Sequence, residues 1–599
     1  MDYHLKNWKE LKKTFNIESF RGQQKAIIEN ALNGNDSLVL MPTGGGKSLC
    51  YQAPIYLSGK LGIIISPLIS LMKDQVDKLR DLGLGAHYLN SSLEYHDKKI
   101  VMNDLLSGEC QYLYVAPETA VKSSFINFIK KLDVGLIAID ESHCISKWGH
   151  QFRPEYQLIH QIISSFSNVP VMALTATAAI ETRKDIVTSL GITEAKVFLN
   201  SFNRPNIYLE CRPKGNESNQ LMDYVQENFC SDGRGVIYCL SRKRVEMFAT
   251  FLNSKGFEAK AYHAGMSNSK RDQVQQWFSK CSGRIVVATV AFGMGIDVSD
   301  IRFVVHMDLP KNLESYYQEI GRAGRDGKAS KAMMFYSRRD RALLINMAAT
   351  GDNQIYQREI FGVNHLYGLA QSKNCRRKLL LQGFDEKWLK ASEKCCDNCD
   401  RVEDDYYVNV TEDALNFLTL ILKSPQRRSY KEWREYIQDK KLFRNLSLYY
   451  STKGHGIEEL MFQLMANGLI GVSAFGKLVV VGDECAIENA EIHLRIKQNI
   501  VQTITSASAK KLKQSSVLLS TNEEEGDLSH YDEDDLRELL KEFRAKQSRK
   551  GRVPAYKVFT DKSIESIIDL RPKSEADFLE VFGFGEKKAK KYASSILSL

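Results

Sequence analysis

The feature that most constrains this chain is a set of short, uninterrupted apolar runs separated by longer helical stretches. SLVLM (from Ser37), LGIII (Leu61), YLYVA (Tyr112), VGLIAID (Val134) and VMALT (Val171) form one group. GVIYC (Gly235), RIVVAT (Arg284), RFVVHM (Arg302) and MMFY (Met333) form a second. Alternating patterns suit strands with one wet face. Continuous β-branched runs suit strands buried on both faces, as in parallel sheets covered by helices. Two groups, broken near SFNRPNIY (Ser201), predict two α/β domains of similar size. A ligand would then sit at the carboxyl ends of the strands, in the cleft between the two.

The 599 residues leave room for further domains, about four at common domain sizes. Apolar residues make up 43%, enough for several cores, which excludes global disorder. No apolar run reaches the ~18 residues of a membrane span. The N-terminus MDYHLKNWKELKK lacks a signal-peptide core. An intracellular, soluble protein is expected. The net charge of +9 permits a polyanionic partner without requiring one.

Three motifs carry chemistry. MPTGGGKS, Met41 to Ser48, follows a predicted strand and precedes a helical run, the context of a phosphate-binding loop. Thr43, Gly44, Gly45 and Gly46 would turn backbone N–H groups toward phosphate oxygens. Lys47 would reach the β- and γ-phosphates, and Ser48 would ligate Mg²⁺. Met41 stands where the strict pattern has glycine. LIAIDESH, Leu136 to His143, is an apolar strand ending in adjacent carboxylates. Asp140 would hold Mg²⁺ and Glu141 would polarise the attacking water. QEIGRAGRDG, Gln318 to Gly327, carries two arginines three residues apart on the second lobe. An arginine reaching the γ-phosphate from there is worth ~10³–10⁵ in rate.

Twelve cysteines divide into eight scattered ones and a cluster of Cys375, Cys395, Cys396 and Cys399. Four thiols within 25 residues favour tetrahedral, structural Zn²⁺, with an iron–sulfur cluster as the alternative. Residues 405–515 read as helices with one hairpin, LIGVSAFGKLVVVG from Leu469. Eight acids fall in the 14 residues from Asn522 to Asp535, a solvated linker by charge. The last ~65 residues are a Lys-rich helical pattern.

Together the three motifs resemble those of superfamily 2 helicases. SFRGQQKAII (Ser19), SPLISLMKDQ (Ser66), ALTATA (Ala173) and ATVAFGMGID (Ala288) add to the resemblance. The loop HCISKWGHQFRPEY, His143 to Tyr156, is similar to the aromatic-rich loop of RecQ DNA helicases. The resemblance spans nearly the whole chain. It implies an α/β fold of two RecA-like lobes, 1–205 and 206–340. A helical zinc-binding subdomain (341–404) follows, then a winged-helix domain (405–515), an acidic linker (516–530) and a helical HRDC domain (531–599).

It further implies that Arg21 and Gln24 read adenine, that Asp297 faces the ribose, and that Arg325 is the finger with Arg322 a second γ-phosphate contact. His143, Trp148, Phe152 and Arg153 would couple DNA binding to hydrolysis. Phe475, at the hairpin tip, would wedge at a duplex fork. The implied activity is ATP-dependent, 3′-to-5′ unwinding in recombination, repair and replication, with ATP, Mg²⁺ and Zn²⁺ as cofactors. Implied partners are single-stranded and forked DNA, single-strand-binding protein and repair proteins, in the bacterial cytoplasm at the nucleoid. An annealing factor or a duplex translocase with little strand separation is the competing reading.

Overall fold

The computed structural model describes residues 3–42, 44–67, 69–90, 93–146, 153–176, 180–293, 298–348, 353–388, 394–400, 407–424, 427–440, 455–473, 477–481, 492–495, 536–537, 540–541, 543–545, 547, 558–572 and 577–597. Trp148, Phe152, Asp297, Phe475, Thr43 and the linker 516–530 lie outside them. The chain divides into two compact units, Met1–Val501 and Gln502–Leu599.

Seven parallel strands form the first sheet: β1 Ser37–Leu40, β2 Leu61–Ile65, β3 Ala86–Leu89, β4 Tyr112–Val115, β5 Val134–Ile139, β6 Val171–Thr175 and β7 Lys196–Leu199. Their spatial order is β3-β4-β2-β5-β6-β1-β7. Six more form a second parallel sheet: β8 Ile207–Pro213, β9 Arg234–Tyr238, β10 Ala259–Tyr262, β11 Arg284–Ala288, β12 Ile301–His306 and β13 Ser330–Tyr336. Their order is β10-β11-β9-β12-β13-β8. All nine apolar runs became strands, and the central ones are buried along nearly their whole length. This is what two helix-covered faces demand. The expected α/β architecture is therefore present, and the carboxyl ends of β1, β2, β5, β6 and β11 lead into motifs.

After the second sheet comes the helix Asn353–Gln371. It packs on the helix His455–Ala466, and Gly368 allows close approach, since a Cβ there would fall 2.1 Å from the Phe462 carbonyl oxygen. The cysteine segment docks on β8, the edge of the second sheet. Leu209 N–H donates to Cys395 O at 3.3 Å, and Asp397 N–H donates to Leu209 O at 3.0 Å. This pairing covers part of an edge that would otherwise stay open. The hairpin forms from β15 Ile470–Val472 and β16 Leu478–Val480, antiparallel, beside a small pair of β14 Tyr407–Asn409 with β17 His493–Arg495. In the second unit, Leu540, Val558, Phe559, Ile567, Phe578 and Ile596 belong to a separate core. No helix among the described residues is long and apolar enough to cross a membrane.

Candidate active site

β1 delivers the chain to the glycine loop. The Met41 N–H donates to Thr175 O on neighbouring β6 at 3.1 Å, and the Gly45 N–H turns back to Pro42 O at 2.9 Å. Gly46 ends the loop at φ +84°, a left-handed conformation that favours glycine, and the helix Lys47–Ser58 comes next with no side-chain cap. Met41 is buried and forms the floor of the loop, since a Cβ on Gly45 would lie 2.7 Å from its Cγ. Lys47 Nζ donates to Met41 O at a long 3.4 Å.

Gln24 is buried against this loop. Its Oε1 accepts from the Arg21 N–H at 2.7 Å, and its Nε2 donates to Gly46 O at 3.1 Å and Gly45 O at 3.3 Å. Its amide therefore braces the loop from behind, while Arg21 is exposed.

The acidic pair stands at the end of β5. Asp140 is buried, and its Oδ1 accepts from the Glu141 N–H at 3.0 Å. Glu141 adopts φ +49°, an uncommon backbone for a non-glycine residue. Burial, and then the Glu141 charge, push the Asp140 carboxyl up to about 7; nearby Lys47 opposes them. Two adjacent carboxyls, one of them buried, suit a hard cation held through oxygen. His143 is also buried, with Nδ1 2.9 Å from Thr175 Oγ1 and 3.3 Å from Glu141 Oε2. It therefore ties the acidic box to the ALTATA segment.

The aromatic-rich loop leaves from and returns to this box. At its neck the Arg153 N–H donates to Cys144 O at 3.0 Å, and Ser146 Oγ donates to Asp185 at 2.7 Å. Tyr156 hydroxyl donates to Asp140 O at 3.0 Å. Arg153 is half-buried, at the start of the short helix Pro154–Gln157.

The second lobe meets the glycine loop at Arg325. A Cβ on Gly44 would lie 3.3 Å from Arg325 Cγ. Two motifs far apart in the chain thus come together in the structure. Arg322 packs deeper in its own lobe, where a Cβ on Gly293 would lie 3.5 Å from its Nη2. It stands beside the hydroxyl of Tyr238, which donates to Phe292 O at 2.8 Å. Tyr238 escaped the sequence reading because it lies within an apolar run and has the composition of core.

The four cysteine sulfurs converge. Cys375 lies 3.4 Å from Cys395 and 4.0 Å from Cys396, and Cys399 lies 3.6 Å and 3.4 Å from the same two. A tetrahedral ion with Zn–S bonds of ~2.3 Å needs sulfurs ~3.8 Å apart. Both adjacent cysteines take part, and the set fits zinc.

Comparisons with known proteins agree with this arrangement. The DEAD/DEAH box helicase family matches residues 21–186, and the helicase conserved C-terminal domain matches 218–327. The RecQ zinc-binding family matches 338–400 and the HRDC domain 533–599. The ATP-dependent DNA helicase RecQ of Pasteurella multocida is 38% identical over 614 positions, covering 98% of this chain and 92% of that one. The protein of that name from Haemophilus influenzae is 36% identical, covering 98% and 94%. The Bacillus subtilis one is 32% identical, covering 97% and 96%. A chain that aligns with such proteins from end to end, zinc-binding and HRDC segments included, belongs to the RecQ family of helicases.

Proposed function

We propose that this RecQ-family chain binds ATP at the seam between its two lobes and uses hydrolysis to step 3′ to 5′ along one DNA strand, unwinding duplex ahead of it. As an ATP-dependent DNA helicase it acts on DNA and carries structural zinc. The observation that carries the seam reading is the packing of Arg325 against Gly44.

Thr43 and Gly44–Gly46 would cradle the phosphates, with Lys47 on the β- and γ-phosphates. Ser48 and Asp140 would hold Mg²⁺, which neutralises phosphate charge when bound. Glu141 would orient the attacking water. Arg325, with Arg322 behind it, would stabilise charge developing on the γ-phosphate. Arg21 and Gln24 would meet the adenine and Asp297 the ribose. When both Lys47 and Arg325 hold one phosphate, the lobes are drawn together; loss of that phosphate releases them. Breaking a base-pair step costs ~1.4 kcal/mol, so one ATP per step is energetically sufficient.

His143 and Arg153, through the loop holding Trp148 and Phe152, would report strand contact to the acidic box. Aromatic faces stack on bases for ~1–3 kcal/mol each without regard to sequence. We assign 405–515 to a winged-helix domain with Phe475 as fork wedge, within the domain limits given above. The setting would be the bacterial cytoplasm and nucleoid, with single-strand-binding and repair proteins as partners.

The test is Arg325→Ala, assayed for ATP binding, ATPase with single-stranded DNA, duplex DNA and RNA, and forked-duplex unwinding. ATP binding should persist while DNA-stimulated hydrolysis falls by ~10³-fold or more. Undiminished hydrolysis would remove Arg325 from the mechanism. Unwinding without DNA-stimulated hydrolysis would remove the helicase cycle itself. In Trp148→Ala or Phe152→Ala, DNA binding should stay while unwinding per ATP drops.

A further inference from the structure

The segment joining the lobes, residues 201–206, does more than span a boundary. Arg204 in this segment reaches under the arginine turn of the second lobe. Its Nη1 donates to Gly321 O at 3.1 Å, and its Nη2 donates to Ala323 O at 2.8 Å and Gly324 O at 3.0 Å. These three carbonyls flank Arg322 on both sides, and Gly324 directly precedes Arg325. Asn206 Nδ2 adds bonds to Gly324 O at 2.8 Å and Lys328 O at 3.0 Å. Gly324 sits at φ +56°, and a Cβ there would fall 2.4 Å from Asn206 Nδ2. The turn is therefore held from beneath by a planar fork and a side-chain amide.

The fork is itself held. Buried Arg377 donates to the carbonyl of Arg204 at 2.6 Å, to Asn203 Oδ1 at 3.1 Å and to the carbonyl of Ile207. Arg377 lies in the helix Arg376–Gln382, whose N-cap residue is the zinc ligand Cys375. Arg376 beside it pairs with Asp397, the neighbour of Cys396. Bonds thus run without a break from the cysteine cluster to the turn that presents the arginines.

We propose that Arg204 is a positioning residue for the arginine turn, braced by Arg377 from the zinc-binding segment, and that it sets where Arg325 meets the γ-phosphate. This deepens, and rests on, the assignment of Arg325 as the finger. The chemistry favours geometry over charge as the reason for arginine here. A guanidinium offers several donors in a rigid plane and can serve three carbonyls at once, whereas an ammonium is a point charge. Misplacing a catalytic group by ~1 Å costs about 10²-fold in rate.

The experiment compares full-length wild-type protein, Arg204→Lys, Arg325→Ala and the double variant. It measures DNA-stimulated ATPase across ATP concentrations, melting temperature and zinc content. Arg204→Lys should lower kcat on the order of 10²-fold, with KM for ATP within about threefold and zinc content unchanged. The double variant should be no slower than Arg325→Ala alone, because the two act as one unit. Multiplicative losses in the double variant would overturn the proposal. So would a lower melting temperature with wild-type kcat, which is the signature of a merely structural bond. Wild-type turnover in Arg325→Ala would instead defeat the finger assignment beneath it. If Arg204→Lys does not fold, Asn206→Ala at a partly exposed position must show the same kcat-only loss at smaller size, and wild-type kcat there would overturn the proposal.

Discussion

Apart from the extra edge strand β7 of the first sheet, the two lobes run their strands in the same spatial order, so β1 and β8 hold matching places beside β6 and β13. The loops that leave these two strands differ in kind. After β1 come glycines at positive φ and a helix that no side chain caps, with Lys47 on a single long bond to Met41. After β8 come Lys214, Gly215 and Asn216, and Asn216 caps the helix Glu217–Asn228 with its own side chain. Lys214 Nζ lies 2.6 Å from Asp308, 2.8 Å from Asp340 and 3.4 Å from Glu217, and Arg244 binds both Asp308 and Glu217. One loop has donors to offer a phosphate; the other is satisfied by its own acids. The shared topology supplies a place at the strand ends, and loop chemistry decides whether a ligand is needed there.

Exchanging the two lysines for neutral side chains tests that contrast most severely. Lys47→Ala should bring DNA-stimulated ATPase and unwinding to background while DNA binding and the unfolding midpoint stay put. Lys214→Met should do the reverse. It leaves buried Asp340 without the Lys214 cation and Asp308 with Arg244 alone, a loss of about 3–5 kcal/mol in denaturant unfolding. An unstable Lys47→Ala, or an undisturbed Lys214→Met, would erase the distinction.

Next in size is the zinc segment that docks on β8. Cys375→Ser should cut zinc content, read by atomic absorption, and lower thermal stability more than it lowers turnover of the surviving protein. Full zinc occupancy in that variant would exclude Cys375 as a ligand.

The glycines give the smallest effects. Gly46→Ala meets both a positive φ and the Gln24 amide, 2.4 Å from the new Cβ. It should raise KM for ATP and cost about 1 kcal/mol or more. Gly215→Ala, in the matching loop, meets only Gln220 atoms at 3.7 Å and beyond. It should be neutral or stabilise by up to about 1 kcal/mol in thermal unfolding. Equal effects at the two positions would mean that the loops are not different after all.

The strands of the two parallel sheets that went unread obey a physical rule. β3, β7, β8 and β10 are the four edges of the two sheets. Their burial is broken, with β7 exposed at three of its four positions and β8 exposed at its last two. An edge strand lacks a neighbour on one side, so polar residues such as His87, Lys196 and Lys260 interrupt the apolar run that betrays a central strand. The site was legible wherever chemistry is local. A glycine loop, an acidic pair and a cysteine cluster are each built from residues close together in sequence, so Lys47, Asp140 and the thiols could be picked out as candidates from spacing.

Composition and spacing by themselves determined the sheet type and the two lobes, and marked the glycine loop, the acidic pair and the cysteine cluster as candidate sites, because each depends on neighbours along the chain. Only the tertiary structure decided that Arg325 meets Gly44, that Gln24 braces the loop, that Lys214 is caged and that Arg204 props the arginine turn. Those contacts join residues tens to hundreds of positions apart, and a charged or amide side chain carries no mark in its sequence of which distant carbonyl or carboxylate it will meet.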